Sequence, residues 1–219
     1  MSGTPFLIDD SARSQEADIW FALPAGFVAL PLLELGSSPE KAELGDTLRP
    51  LLEALPAAEV RQRLVSGFAP IRRMAQVLLE TGAVHWSLGL HADDEGDESP
   101  LLSLFTLAWR TTAWAPRSVI AARAAVGSGN AEHIEALDLP CGPASLVQER
   151  LTMLPETGLS KQELLQVTAY VPCPDGVRIA ILTLATTAVE RAQHYCTLLR
   201  HIAHTVSFAN PLQDVPGEE

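Results

Sequence analysis

Residues 164–185 read Leu-Leu-Gln-Val-Thr-Ala-Tyr-Val-Pro-Cys-Pro-Asp-Gly-Val-Arg-Ile-Ala-Ile-Leu-Thr-Leu-Ala. Two runs of β-branched and aliphatic residues flank the breakers Pro172-Cys173-Pro174-Asp175-Gly176, and a connection of that length containing Asp-Gly specifies a β-hairpin. Thr186 or Thr187 then caps a last helix running to about Ser207. Tyr195, Cys196, Leu199, Ile202, Ala203 and Val206 recur along one side of that helix at the 3.6-residue period.

Working back from this hairpin, residues 134–139 and 144–153 fit two strands about a Pro140-Cys141-Gly142-Pro143 turn better than a helix. Residues 145–154 alone remain open to either reading. Val119, Ile120, Arg123 and Ala124 mark a short helix over residues 116–126, ending at Gly127-Ser128-Gly129-Asn130. Before it lies a second hairpin. Val84, Trp86, Leu88 and Leu90 alternate with His85, Ser87, Gly89 and His91, the period-2 pattern of a half-buried strand. The acidic loop 93–98 leads from there to a long strand over residues 101–114.

The first part of the chain has a different pattern. Residues 18–32 hold two short apolar runs about Pro24-Ala25-Gly26, read as another β-hairpin. Ser38-Pro39-Glu40 then supplies a capping serine, a first-turn proline and an acid suited to the helix dipole. Leu44, Leu48, Leu51, Leu52 and Leu55 follow at helical spacing. A second helix starts near Pro56, is kinked or divided by Pro70, and ends at Thr81-Gly82. Strands in runs with short turns imply an antiparallel sheet. The expected class is therefore α+β, a curved antiparallel sheet with helices packed on its faces, as a single domain over residues 18–210. Residues 38–82 enter it as an extra helical hairpin, and residues 1–17 and 211–219 are expected to be flexible tails, the latter acidic.

The 219 residues carry 15 Lys plus Arg against 27 Asp plus Glu, a formal charge of −12. That balance opposes binding to phosphate backbones and anionic lipid surfaces, so nucleic acid is not an expected partner. Much of the excess acid lies in the tails and the 93–98 loop. Only Lys41 and Lys161 are lysines, a bias that reads as a GC-rich bacterial genome. Asp9, Asp10, Glu16 and Asp18 interrupt the start of the chain where a secretory signal would be apolar. The apolar segment 19–35 is broken by Pro24, Gly26 and Pro31 and is too short to span a bilayer. With Cys141, Cys173 and Cys196 sparse and lacking CxxC spacing, a reducing, cytoplasmic setting is expected.

The element order and three local texts resemble the PsbP-like α/β sandwich group, which includes a Ran-binding nuclear-import factor and mycobacterial LpqN-type lipoproteins. The texts are Trp20-Phe21-Ala22-Leu23-Pro24-Ala25-Gly26-Phe27, Leu139-Pro140-Cys141-Gly142-Pro143-Ala144, and Tyr170-Val171-Pro172-Cys173-Pro174-Asp175-Gly176 leading through Leu182-Thr183-Leu184-Ala185-Thr186 into the final helix. They cover about two thirds of the chain and are turn and packing signatures. The resemblance implies an α/β/α sandwich serving as a compact, non-catalytic scaffold for partner binding, assembly or export, here in an actinobacterial-type protein. The 38–82 hairpin departs from the group, as does the lack of a signal and of a lipid-attachment cysteine near the start.

Candidate chemistry is sparse. His194, His201 and His204 have a helical spacing that suits metal coordination, with Cys196 nearby. No fourth ligand is spaced to complete the set, so they read as solvent-facing histidines near a helix C-terminus. Cys173 and Cys141 lack an electropositive neighbourhood and a positioned base, and both read as inert turn cysteines. Gly127-Ser128-Gly129-Asn130 lacks the lysine and strand-to-helix context of a phosphate loop. No cofactor fingerprint is present. Arg61, Arg63, Arg72 and Arg73 on one helix, with Trp86 and Trp114 in or beside the middle hairpin, are the candidate protein-interface residues. The expected function is a non-catalytic protein-binding adaptor or chaperone-like protein, linked to secretion or assembly, with self-association open. A small-molecule or lipid binding module is the alternative, and a hydrolase-type enzyme the third.

Overall fold

The computed structural model of the chain describes residues 6–8, 19–30, 77–91, 101–153 and 162–210. Its strands are β1 (Phe6–Ile8), β2 (Ala22–Pro24), β3 (Phe27–Ala29), β4 (Ala83–His91), β5 (Leu101–Thr111), β6 (Ala131–Leu139), β7 (Gly142–Met153), β8 (Gln162–Pro172) and β9 (Arg178–Thr186). Helix α1 (Arg117–Val126) lies between β5 and β6, and helix α2 (Ala192–His204) follows β9. Seven strands form one antiparallel sheet in the order β3-β4-β5-β9-β8-β7-β6. The α+β class and the antiparallel sheet are thus as the sequence leads one to expect, in a largely sheet protein.

The hairpin of residues 164–185 supplies the middle of this sheet. β9 pairs with β8 on one side and with β5 on the other, so each of its side chains meets neighbours on both flanks. Period-2 alternation then loads both sheet faces. Leu107, Leu182, Ala169 and Leu146 stand side by side on one face, packed against Tyr195, Leu199, Ile202 and Ala203 of α2 and against Ile19, Phe21 and Leu23. Val147, Tyr170 and Ile179 point to the other face and meet Ala115, Ile120 and Ala125 in and beside α1. Burial of this kind contributes roughly 25 cal/mol per Å² of apolar surface. Leu107, Leu165, Val167, Leu182, Tyr195 and Leu199 are fully buried, so the space between sheet and α2 is filled by side chains.

Several expectations are corrected. Residues 22–29 do turn at Ala25-Gly26, where Gly26 has φ +98, but the two arms do not pair with each other. β2 pairs with β1 and β3 with β4. Three-residue arms make a marginal hairpin on their own, whereas β4 offers a long edge, and bonds from Leu90 N to Gly26 O and from Leu30 N to Trp86 O extend that ladder. Phe6–Ile8 therefore form a strand within residues 1–17, the remainder of which lies outside the described residues.

The alternation in β4 is also offset. A register shift lies between Ala83 and His85, and Val84 within it is 56% exposed, whereas His85 and Ser87, opposite Leu107 and Phe105, are buried along with Trp86, and His85 packs on Phe21 and Phe105. Thr186 does not cap α2. Its hydroxyl donates to Leu102 O at 2.6 Å and accepts from Ala188 N at 3.2 Å, and a 3-10 turn (Val189–Arg191) precedes the helix. Residues 145–153, open between strand and helix, belong to β7.

Of the 38–82 hairpin, residues 77–80 are helical and end as expected at Thr81-Gly82, where Thr81 N reaches Val77 O at 3.0 Å and Gly82 has φ +83. A Cβ at Gly82 would lie 2.7 Å from the Trp109 carbonyl oxygen, so glycine allows this approach to β5. The rest of the hairpin lies outside the described residues, as do the 93–98 loop and residues 211–219. No helix among the described residues is long and apolar enough to cross a membrane.

Candidate functional site

Antiparallel pairing gathers the β6–β7 turn, the β8–β9 turn, the start of α1 and the segment after α2 at one end of the sheet. The β8–β9 turn is held by Asp175, whose Oδ1 accepts from the backbone N–H of Val177 (2.9 Å) and of Arg178 (3.0 Å). Arg178 Nε donates to Asp175 Oδ2 at 2.7 Å. Partial burial works to raise the Asp175 carboxyl, but the Arg178 guanidinium and the two backbone donors outweigh it and hold the group at about 2. The turn is therefore a fixed, charged platform.

From that platform a chain of cations and rings crosses the end of the sheet. The Arg178 guanidinium lies 4.9 Å from the Trp109 ring centroid, Trp109 lies 6.2 Å from Phe208, and the Arg117 guanidinium lies 5.9 Å from Phe208. Arg117 also donates to Pro172 O through Nε (3.0 Å) and Nη2 (2.7 Å), and to Cys141 O. Gly142, at φ +121, leaves room for it, since a Cβ there would collide with the guanidinium. At the β8–β9 turn, Trp114 stands 74% exposed over Gly176, followed by the exposed Val177. An open groove of about 470 Å³ runs between the Pro140-Cys141 and Pro174 turns and the residues from His204 to Ala209. Its far wall is anchored to the N-terminal segment, because Trp20 and Ser207 exchange backbone hydrogen bonds of 2.8 and 2.9 Å.

The cysteines near this end are poorly suited to nucleophilic chemistry. Burial is the leading influence on Cys141 and Cys173, and it pushes both thiols up despite Arg117 and Arg178 nearby. Cys196 is raised for the same reason and its thiol donates to Gln148 Oε1 at 3.3 Å. On α2, His194, His201 and His204 face solvent while Cys196 points into the core. Among the described residues, no group of three or more His, Cys, Asp or Glu side chains is placed to hold a metal. The Gly127-Ser128-Gly129-Asn130 segment is a connection from α1 to β6, with the Ser128 hydroxyl 3.2 Å from that of Tyr170.

Of the six residues read as an interface, the structure places two. Trp114 is on the surface, whereas Trp86 is a core residue at 2% exposure, in register with Thr106 of β5. Arg61, Arg63, Arg72 and Arg73 lie outside the described residues. Trp109, Arg117, Arg178 and Phe208, which form the ring and guanidinium chain, carry no local motif. Only Asp175 followed three residues later by Arg178 gives a hint, as a turn acid with a base in reach.

No family model matches the chain, and no curated protein matches it. Among solved structures, the crystal structure of LpqN, involved in cell envelope biogenesis of Mycobacterium tuberculosis, is similar at a TM-score of 0.37 and 10% identity, covering 94% of this chain and 86% of that one. A likeness that distant carries no argument about what this chain does.

Proposed function

We propose that the chain is a non-catalytic protein-binding adaptor or chaperone-like protein with a PsbP-like sandwich fold, acting in the cytoplasm in a secretion or assembly process. The observation that carries the reading is Trp114, exposed at 74% yet seated over Gly176 of the β8–β9 turn. Tryptophan and arginine are enriched among residues that dominate binding energy at protein interfaces. A rigid support lowers the entropy lost when such an anchor is fixed by a partner. The filled space between sheet and α2 favours a surface used for docking over an internal ligand chamber in that layer. Three free cysteines accord with a reducing compartment.

The test is quantitative recovery of co-purifying chains from native lysate with wild-type and Trp114→Ala protein. A stoichiometric partner recovered with wild type, and reduced at least about tenfold with W114A, is expected for an interface anchor. Absence of any stoichiometric chain, together with a tightly retained ligand in native mass spectrometry, would sink the reading. The second reading, a small-molecule binding module, is favoured by one separate feature, a cleft beside α1.

A further inference from the structure

Helix α1 covers only part of its sheet face, and where its cover ends a cleft of about 270 Å³ opens against β5, β9 and β8. Ile179 and Ile181 of β9 and the ring of Tyr170 form an apolar floor, and Ile120 and Ala124 of α1 form a wall. Arg110 and Arg123 line the same opening, one from the strand and one from the helix. Arg110 stands directly opposite Ile179 in the β5–β9 register, so both side chains project from the same face. The Thr112 hydroxyl, in the same lining, is buried and has no hydrogen-bond partner among the described residues.

The charge at this place runs against that of the chain. The formal charge is −12, yet the only ionisable carboxylate or guanidinium groups lining this cleft among the described residues are the two arginines. Other described arginines are engaged. Arg150 meets Glu132, Arg178 meets Asp175, Arg200 meets Glu135, and Arg117 is held by carbonyl oxygens. Arg110 and Arg123 have no such partner among the described residues. Two guanidiniums with no carboxylate partner among the described residues, at the rim of a small apolar hollow, match a ligand with one anionic end and a short apolar body. A guanidinium offers a planar fork of donors to a carboxylate, and the cleft falls below the usual ~300–1,000 Å³ of small-molecule sites.

We infer that the cleft between α1 and the β5–β9 face binds a small apolar carboxylate, its carboxyl between Arg110 and Arg123 and its apolar part on Ile179, Ile181 and Tyr170. The inference is independent of the docking role given to Trp114, and each can fail without the other.

Octanoate is the probe, titrated into the full chain by calorimetry with ligand-observed NMR, beside octanol, octylammonium and acetate. One-to-one saturable binding of octanoate is expected, with octanol, octylammonium and acetate each weaker by at least about tenfold, since each lacks either the anion or the body. Arg110→Gln and Arg123→Gln are each expected to weaken octanoate about tenfold while leaving the melting temperature unchanged, because both side chains are exposed. Ala124→Phe, which narrows the hollow and keeps both cations, is expected to reduce octanoate binding as well. The inference is overturned if octanoate shows no saturable binding, if octanol binds as well as octanoate, if the arginine variants bind like wild type, or if an acidic peptide binds the arginines and octanoate does not compete.

Discussion

Gly142 shows how one missing side chain organises the far end of the sheet. Its φ of +121 lies in the region L-residues avoid, and the space a Cβ would take is filled by the Arg117 guanidinium. Gly142→Ala therefore meets two penalties, backbone strain of about 1–3 kcal/mol and displacement of a side chain that ties the β6–β7 turn to Pro172 O. The expected outcome is a loss of at least that strain in urea unfolding. Adding Arg117→Ala removes the collision, so the pair should cost less than the sum of the single changes. Strict additivity would show that Arg117 does not occupy the space. At this scale the sequence is informative only where chemistry is local. Pro172-Cys173-Pro174-Asp175-Gly176 announces its turn, but nothing adjacent to Gly142 announces an arginine 25 positions earlier. Trp86 and Trp114 illustrate the same limit, since both belong to the middle hairpin region and one is core while the other is surface.

Elements were legible in proportion to the regularity of their pattern. α2 has a clean apolar stripe, and the residues on it, Tyr195, Leu199, Ile202 and Ala203, are the ones the sheet covers. β8 and β9 show the same agreement between pattern and place. β4 breaks it because residues of both parities are buried there, His85 and Ser87 opposite Leu107 and Phe105 and Trp86 opposite Thr106, and no feature of Val84-His85-Trp86 reveals that both faces are covered. β2 and β3 were visible as strands, but their partners were not, because β1 and β4 lie on opposite sides of them in the chain. The helix faces yield a direct contrast. Leu199→Ala, at a fully buried position, is expected to destabilise by about 2–5 kcal/mol. His201→Ala, on the solvent side of the same helix, should stay within about 0.5 kcal/mol of wild type. Chemical denaturation of both variants checks the assignment, and a comparable loss for His201→Ala would mean that this side of α2 is covered.

The whole molecule is joined by one strand. β3, β4 and β5 form one half of the sheet and β8, β7 and β6 the other, and β9, the last strand made, lies between them. The β5–β9 pairing leaves no mark in the sequence because its partners are separated by α1 and three further strands. The paired β8–β9 hairpin could be read, but its central place could not. That place predicts the order of stability. Amides of β9 and β8 have ladder partners on both sides and a face buried under α2, so they can exchange with solvent only when the two halves part. Among the described residues β6 and β3 are edge strands with a partner on one side only, and local opening should expose them first. Native-state hydrogen exchange read by mass spectrometry should find peptides from Gln162–Pro172 and Arg178–Thr186 at the global unfolding free energy, with those from Phe27–Ala29 and Ala131–Leu139 exchanging at lower cost. Thr183→Pro, which removes a donor where Thr183 faces Thr106 and Thr168, should then abolish cooperative unfolding of both halves together. If β3 and β4 kept their protection in that variant, the two halves would be separately stable, and β9 would be a bridge between folded parts instead of the element that makes them one.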